Sequence, residues 1–405
     1  MQREQQPASS SNRAPLPDLR ADRTRPFRID VAQDVLDDLQ VRLDRTRWAG
    51  TIEGSGWDRG TSNAYVRDLV GYWRTGYDWR RHEARLNALP QFTARVDGAD
   101  LHFILSGRRP RTTPLVLLHG WPDSFYRFHK VIPMLSDPLG GDPKDAFDVV
   151  VPSLPGFPFT GRLRQVPRHQ PTRHAAHLIW RLMTEVLGFE RFAVAGGDGG
   201  GAIAQILAID HPESVIGIHL TDLGWHVSSV DPASLSRHEQ HYLAAANKRF
   251  MADGAYAMVQ MTQPRSLAAG LTDSPAGLAS WIVDRFHAWS DGDLEARFGK
   301  DDLLTNIMLY WVTRTIGSSV FHYFADARSP SLTPADHVDR PVGVALFPAD
   351  IAGNPPRTFA ERTLNVQRWT EMPRGGHFAA LEVPELYARD VSAFFHSLTA
   401  ARATT

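Results

Sequence analysis

The stretch RFAVAGGDGGGAIAQILAIDHPE, residues 191–213, decides how this chain is read. A short apolar run leads into Gly196-Gly197-Asp198-Gly199-Gly200, and a segment of helical character follows. This is a strand, a tight glycine turn and a helix, with one acidic side chain at the apex. It matches the G-x-nucleophile-x-G elbow, with Asp where Ser usually stands. Glycines suit the turn because it is strained and its backbone passes close to its neighbours. A carboxylate needs no base to be nucleophilic at neutral pH, and the helix N-terminus behind it keeps it ionised. A second pattern fits the same residues. Gly199-Gly200-Gly201-Ala202-Ile203-Ala204 reads as G-x-G-x-x-A after a strand, with Asp222 about 20 residues on, as in a dinucleotide-binding turn. That fingerprint normally follows the first strand of its unit, whereas three strand-like runs precede this one, and it leaves the remaining signals unexplained.

Working outward, similar apolar runs occur at PLVLLHG (114–120), FDVVVPS (147–153), VIGIHLTD (215–222) and VGVALFP (342–348), with helix-like segments between most of them. Such alternation predicts an α/β fold with a mostly parallel sheet and helices on both faces. FTARVDGADLHFI (92–104) alternates around Asp97-Gly98, a hairpin signal. Residues 223–337 break the alternation and carry Trp281, Phe286, Trp289, Tyr310 and Trp311 in a helical pattern, which reads as an inserted cap. Residues 26–90 read as an N-terminal helical meander. Within it Val35, Leu36, Leu39 and Leu43 share a helix face that Asp30 and Gln33 would cap, and residues 61–90 are rich in aromatic side chains. The plan is a disordered tail at 1–25, the meander at 26–90, a core in two parts at 91–222 and 338–405, and the cap at 223–337.

Composition narrows the partners. Lys and Arg number 44 against 45 Asp and Glu, for a net charge of −1, and no dense basic block is present, so the footprint of a nucleic-acid binder is missing. A small, neutral or apolar substrate fits better. The chain has no cysteine, which removes disulfides, thiolate nucleophiles and Cys-based zinc sites and suits a reducing interior. No signal-peptide core and no run of about 18 apolar residues is found, so neither secretion nor a membrane anchor is expected, and a cytoplasmic location is. No cofactor or metal is called for. His238-Glu239-Gln240-His241 spaces its histidines one residue short of the H-E-x-x-H zinc helix, and His174 with His177 lacks a third ligand. Oligomeric state is open, a homodimer included.

Two further segments answer the elbow. His119-Gly120-Trp121-Pro122-Asp123 follows a buried-strand run, and the Trp121 N–H can pair with that of Gly199 as an oxyanion hole, with Trp121 and Pro122 beside the substrate. His119 itself reads as structural. Arg374-Gly375-Gly376-His377-Phe378 is a Gly-rich loop near the C-terminus, where a triad histidine belongs in the order nucleophile, acid, His. The acid should end a strand, as Asp350 does after VALFPA. Each residue also has an ordinary reading: an Asp in a glycine turn is a turn former, and one beside prolines caps a loop. Their order along the chain favours the catalytic one.

HGWPDSFYRF, GGDGGG, LLTNIMLYW, FPAD and RGGHFAALEVPE, preceded by PFRIDVAQDVLDDLQVRLDRTRW, together resemble the microsomal-type epoxide hydrolases over about residues 26–398. The resemblance implies an α/β-hydrolase fold and conversion of a small-molecule epoxide to a vicinal diol. In it Asp198 is the nucleophile, Asp350 the acid and His377 the base. Matching AYAMVQMTQP and SSVFHYFAD to the family selects Tyr256 and Tyr323 as the cap tyrosines that hold the epoxide oxygen, with Tyr310 as the substitute for Tyr323. Relatives act in detoxification or in natural-product biosynthesis, enediyne pathways included. The membrane anchor of the mammalian members is not seen, which suits the soluble bacterial, insect-type or fungal branches. One departure stands out: the residue after the nucleophile, usually Trp, is Gly199, and the missing indole leaves space for a bulkier epoxide. A haloalkane or haloacid dehalogenase of the same fold is the nearest alternative, but a departing halide wants the indole donor that Gly199 removes. A non-catalytic binding protein and a nicotinamide-dependent oxidoreductase are the remaining readings.

Overall fold

The structure is a computed structural model that describes residues 23–50, 54–107, 112–138, 145–160, 169–223, 232–351 and 353–403. Among the described residues nine strands form one sheet: β1 (Thr24–Phe27), β2 (Gln91–Val96), β3 (Ala99–Ser106), β4 (Thr113–Leu118), β5 (Phe147–Pro152), β6 (Phe192–Gly196), β7 (Val215–Leu220), β8 (Val338–Leu346) and β9 (Leu364–Glu371). Their order is β1-β2-β3-β5-β4-β6-β7-β8-β9. The first three and β5 pair antiparallel, and every pair from β5 to β9 is parallel. β4, β5, β6 and β7 consist mainly of fully buried apolar residues, because side chains on both faces meet helices. On one face, the helices Pro171–Arg181 and Gly199–Asp210 pack together; on the other, Val131–Ser136 packs on Pro384–Ala403. β7 shows the division, since a side chain at Gly217 would meet Phe394 and Leu398 of the C-terminal helix while Leu220 touches Gly201 of the opposite one.

The β2–β3 hairpin turns at Asp97 and Gly98, both at positive φ, with Val96 facing Ala99. Between β7 and β8 the described residues from 237 to 326 are almost wholly helical, from Arg237–Asp253 to Phe321–Asp326. Among the described residues no helix is long and apolar enough to cross a membrane.

The N-terminal region differs from the expected helical meander in two respects. Its helices Gln33–Asp44, Asn63–Thr75 and Trp79–Leu86 are preceded by β1, which adds an edge to the sheet against β2, so ordered chain starts before the boundary expected at residue 25. Residues 1–22 of the expected tail lie outside the described residues. TRPF has no apolar period to betray a strand; its pairing comes from the open edge of β2, and an edge strand tolerates Pro26 because no donor is needed on its outer side. Asp30 does not cap the first helix, whose N-cap is Ala32 without a side-chain bond. The next helix does have one, from Ser62 to the Tyr65 N–H.

Candidate active site

Five neighbouring parallel strands, β4, β6, β7, β8 and β9, deliver the residues of one site at their carboxyl ends. β6 ends at the elbow, where Asp198 has φ 55° and its neighbour in sequence opens the helix Gly199–Asp210. A side chain at Gly200 would strike the carbonyl of Leu118, and one at Gly120 would strike the Asp198 carboxylate, so the elbow and the loop after β4 can approach only as glycines. The Trp121-Pro122 bond in that loop is cis. The approach brings two backbone donors to one oxygen: Oδ1 of Asp198 accepts from Trp121 N–H at 3.0 Å and from Gly199 N–H at 2.6 Å. Oδ2 is left facing Nε2 of His377 at 3.3 Å.

The loop after β8 carries Asp350 and the loop after β9 carries His377. They are stitched together by the Ala349 N–H, which donates to the Gly375 carbonyl at 3.1 Å. The histidine loop is held further by Glu382, whose carboxylate accepts from the N–H groups of Gly376 at 3.1 Å, Phe378 at 3.0 Å and Asp291 at 3.1 Å. Nδ1 of His377 bonds Oδ2 of Asp350 at 3.0 Å. Nε2 has no hydrogen-bond partner among the described residues, which leaves that edge of the ring open for a third oxygen. The Asp198 side chain keeps 17 % of its exposure and those of His377 and Asp350 only 3 % and 4 %, so Asp198 is reachable while the other two are sealed.

The charges follow from this arrangement. Burial alone would depress the His377 imidazole, but the Asp198 and Asp350 carboxylates beside it outweigh that and raise it to about 10. Burial likewise pushes the Asp198 carboxyl up, and the opposing His377 contact with the Gly199 and Trp121 N–H groups brings it below its ordinary value. The free site therefore holds an ionised Asp198 carboxylate beside an imidazolium.

From the cap, Tyr256 in the helix Ala255–Thr262 stacks on Trp121 with ring centroids 5.7 Å apart, and Tyr323 in Phe321–Asp326 meets the same indole edge-on at 5.9 Å. The two phenol rings are 6.1 Å apart and nearly perpendicular. Burial first, and then the Asp198 charge on Tyr256 and the neighbouring phenol on Tyr323, push both hydroxyls far above the usual phenol range, so they remain donors. Tyr310 is committed elsewhere, donating to the Asp123 carbonyl at 2.6 Å, which removes it as the substitute for Tyr323.

A model described as "Epoxide hydrolase N terminus" matches residues 24–128, and one described as "alpha/beta hydrolase fold" matches 113–275. The chain is 32% identical to epoxide hydrolase 1 of Oryctolagus cuniculus over 91% of its length and 88% of that protein. The chain belongs to the epoxide hydrolase family. It is also 38% identical to a Stigmatella aurantiaca protein over 93% of this chain and 85% of that one. The solved juvenile hormone epoxide hydrolase of Bombyx mori superposes with a TM-score of 0.85 at 26% identity, covering 95% of this chain and 98% of that one.

Several residues of this epoxide hydrolase escaped the sequence reading. Arg127 is buried, donates to Asp123 at 2.6 Å and to the His377 carbonyl, and so ties the loop after β4 to the histidine loop. Arg285 lies over the Tyr256 ring at 4.9 Å, and Trp289 packs between Tyr256 and His377. Asp222, two residues beyond β7, accepts the Asp198 N–H at 2.7 Å instead of awaiting a ribose. Only Asp222 had a usable signal, an acid directly after a continuous apolar run. Asp222, Asp350 and His377 bring their ligand-type atoms within 4.8 Å of one another, close enough for a cation, but Nδ1 already bonds Asp350, and the cluster reads as acid–base. Glu239 of the HEQH segment pairs with Arg362 at 3.0 Å while His238 and His241 face solvent. His119 is wholly buried, with Nδ1 against the Gly120 carbonyl and Nε2 accepting the Leu154 N–H at 3.1 Å, a structural role.

Proposed function

We propose that this epoxide hydrolase works in two steps through an ester on Asp198. Oδ2 of Asp198 bonds an epoxide carbon while the ring C–O bond breaks, and Tyr256 and Tyr323 donate to the oxygen that gains charge. The ester removes the Asp198 charge, one of the two that hold the His377 imidazole protonated. The imidazolium proton passes to the alkoxide left by ring opening, and the now neutral His377 takes a proton from a water that attacks the ester carbonyl. Charge collects on Oδ1 between the Trp121 and Gly199 N–H groups, and the diol leaves with the former Oδ2. Asp350 keeps the imidazole oriented throughout.

The observation that carries this reading is the division of labour within one carboxylate: Oδ1 takes both backbone donors and Oδ2 faces His377. A single turnover in heavy-oxygen water tests it. Label is expected in Asp198 and not in the diol; a labelled diol would refute the ester.

The substrate we read as a bulky epoxide, of which natural-product epoxides of the enediyne kind are examples. A side chain placed at Gly199 would meet nothing within 4 Å, so there is open space directly beside the nucleophile. Gln260, one turn along the helix from Tyr256, is fully buried with neither amide atom bonded among the described residues, which suits a polar group on the substrate.

A further inference from the structure

The sheet order places β7 between the strand of the nucleophile and the strand of the acid. Asp222, two residues past its end, therefore cannot avoid the catalytic cluster. Its Oδ2 accepts the Asp198 N–H, and the side chain is buried with ligand-type atoms of Asp350 and His377 both within 4.8 Å. We propose that Asp222 is a second acid for His377: a positioning carboxylate that, alongside Asp350, supports the imidazolium formed during ester hydrolysis. This rests on the reading of His377 as the base.

Two carboxylates at one imidazole would be wasteful if only orientation were needed, since Asp350 already bonds Nδ1. A second negative charge makes the imidazole a stronger base at the moment Asp198 is neutral and can no longer help. The groups around Asp222 are compatible with that role. Asp198 and Asp350 face it from the ends of the adjacent strands, His377 from the loop after β9, Arg127 from the segment after β4, and Tyr242 from the cap helix Arg237–Asp253. Burial and then the Asp350 charge raise its carboxyl to about 6, against the pull of His377 and the Asp198 N–H. It therefore carries its charge at neutral pH and loses it in mild acid.

Asp222→Asn keeps an acceptor for the Asp198 N–H and deletes only the charge. Ester hydrolysis should then become less sensitive to acid, because a less basic His377 stays deprotonated to lower pH: its acid limb should move down by about one pH unit. Asp350→Asn should retain a residual hydrolysis rate, and adding Asp222→Asn should lower it by a further factor of about a hundred, with ester accumulating on Asp198. Both results are expected. An unmoved acid limb, or a double variant no slower than Asp350→Asn, overturns the proposal. If Asp222→Asn does not fold, Asp222→Ser, neutral and able to accept the same N–H, carries the test. Failure of the underlying mechanism would look different, as an absence of Asp198 ester in every variant and in the wild type.

Discussion

The strand ends and the cap hold their parts of the site in different ways. At the strand ends the backbone does the work: two N–H groups fix Oδ1 of Asp198, the Ala349 and Gly375 main chains bind the acid loop to the histidine loop, and Glu382 collects three more N–H groups. In the cap, Tyr256 and Tyr323 are held by rings, against Trp121, Trp289 and each other, with Arg285 over one face. Hydrogen-bonded backbone tolerates little displacement, whereas stacked rings can slide at small cost. The difference suggests that the strand ends decide whether chemistry happens and the cap decides how fast and on what.

The comparison breaks first at Asp198. Asp198→Ala should lower kcat by about 10⁴-fold or more, and His377→Gln should do similar damage while leaving the first step, so that ester builds up and can be weighed by mass spectrometry. Strand-end losses no larger than those in the cap would erase the distinction. Tyr256→Phe and Tyr323→Phe should each slow ester formation by about 10²-fold, the effect of losing one donor to a developing oxyanion, with ester hydrolysis unchanged in rapid-quench measurements.

Gly199→Trp sharpens the other half of the contrast. Filling the open space should raise KM for a bulky epoxide by roughly tenfold and leave a small one such as styrene oxide within about threefold. Glu382→Ala, which strips acceptors from three N–H groups, should cost about 1–3 kcal/mol in chemical denaturation. Stability also depends on pH. His377 titrates near 6.5 when unfolded and about 10 in the fold, so its stabilisation is complete below about 6.5 and is lost as pH rises through about 10. The melting temperature should fall across that window, and His377→Gln should flatten the decline.

Legibility followed the same divide. The elbow, the loop after β4 and the Gly-rich histidine loop announce themselves because tight backbone needs glycine and proline at fixed spacings, and those residues are visible in one dimension. Tyr256 and Tyr323 had no such mark and came only from a family pattern. β1 was missed because four residues without apolar period pair only when β2 offers an edge. Asp30 looked like a cap, yet the helix begins from Ala32 with none. Arg127, Glu382 and Arg285 act across separations that local pattern does not span.

The sequence by itself determined that an acid sits on a strand-to-helix elbow, that a second acid and a histidine follow in triad order, and that the position beside the nucleophile is empty of side chain. Those facts reside in residue type and local spacing. Only the tertiary structure decided which oxygen of Asp198 the backbone holds, that Tyr310 is spent on Asp123, and that Asp222 stands between nucleophile and acid. The order of strands in the sheet is not their order in the chain, and contacts between strand ends follow the former.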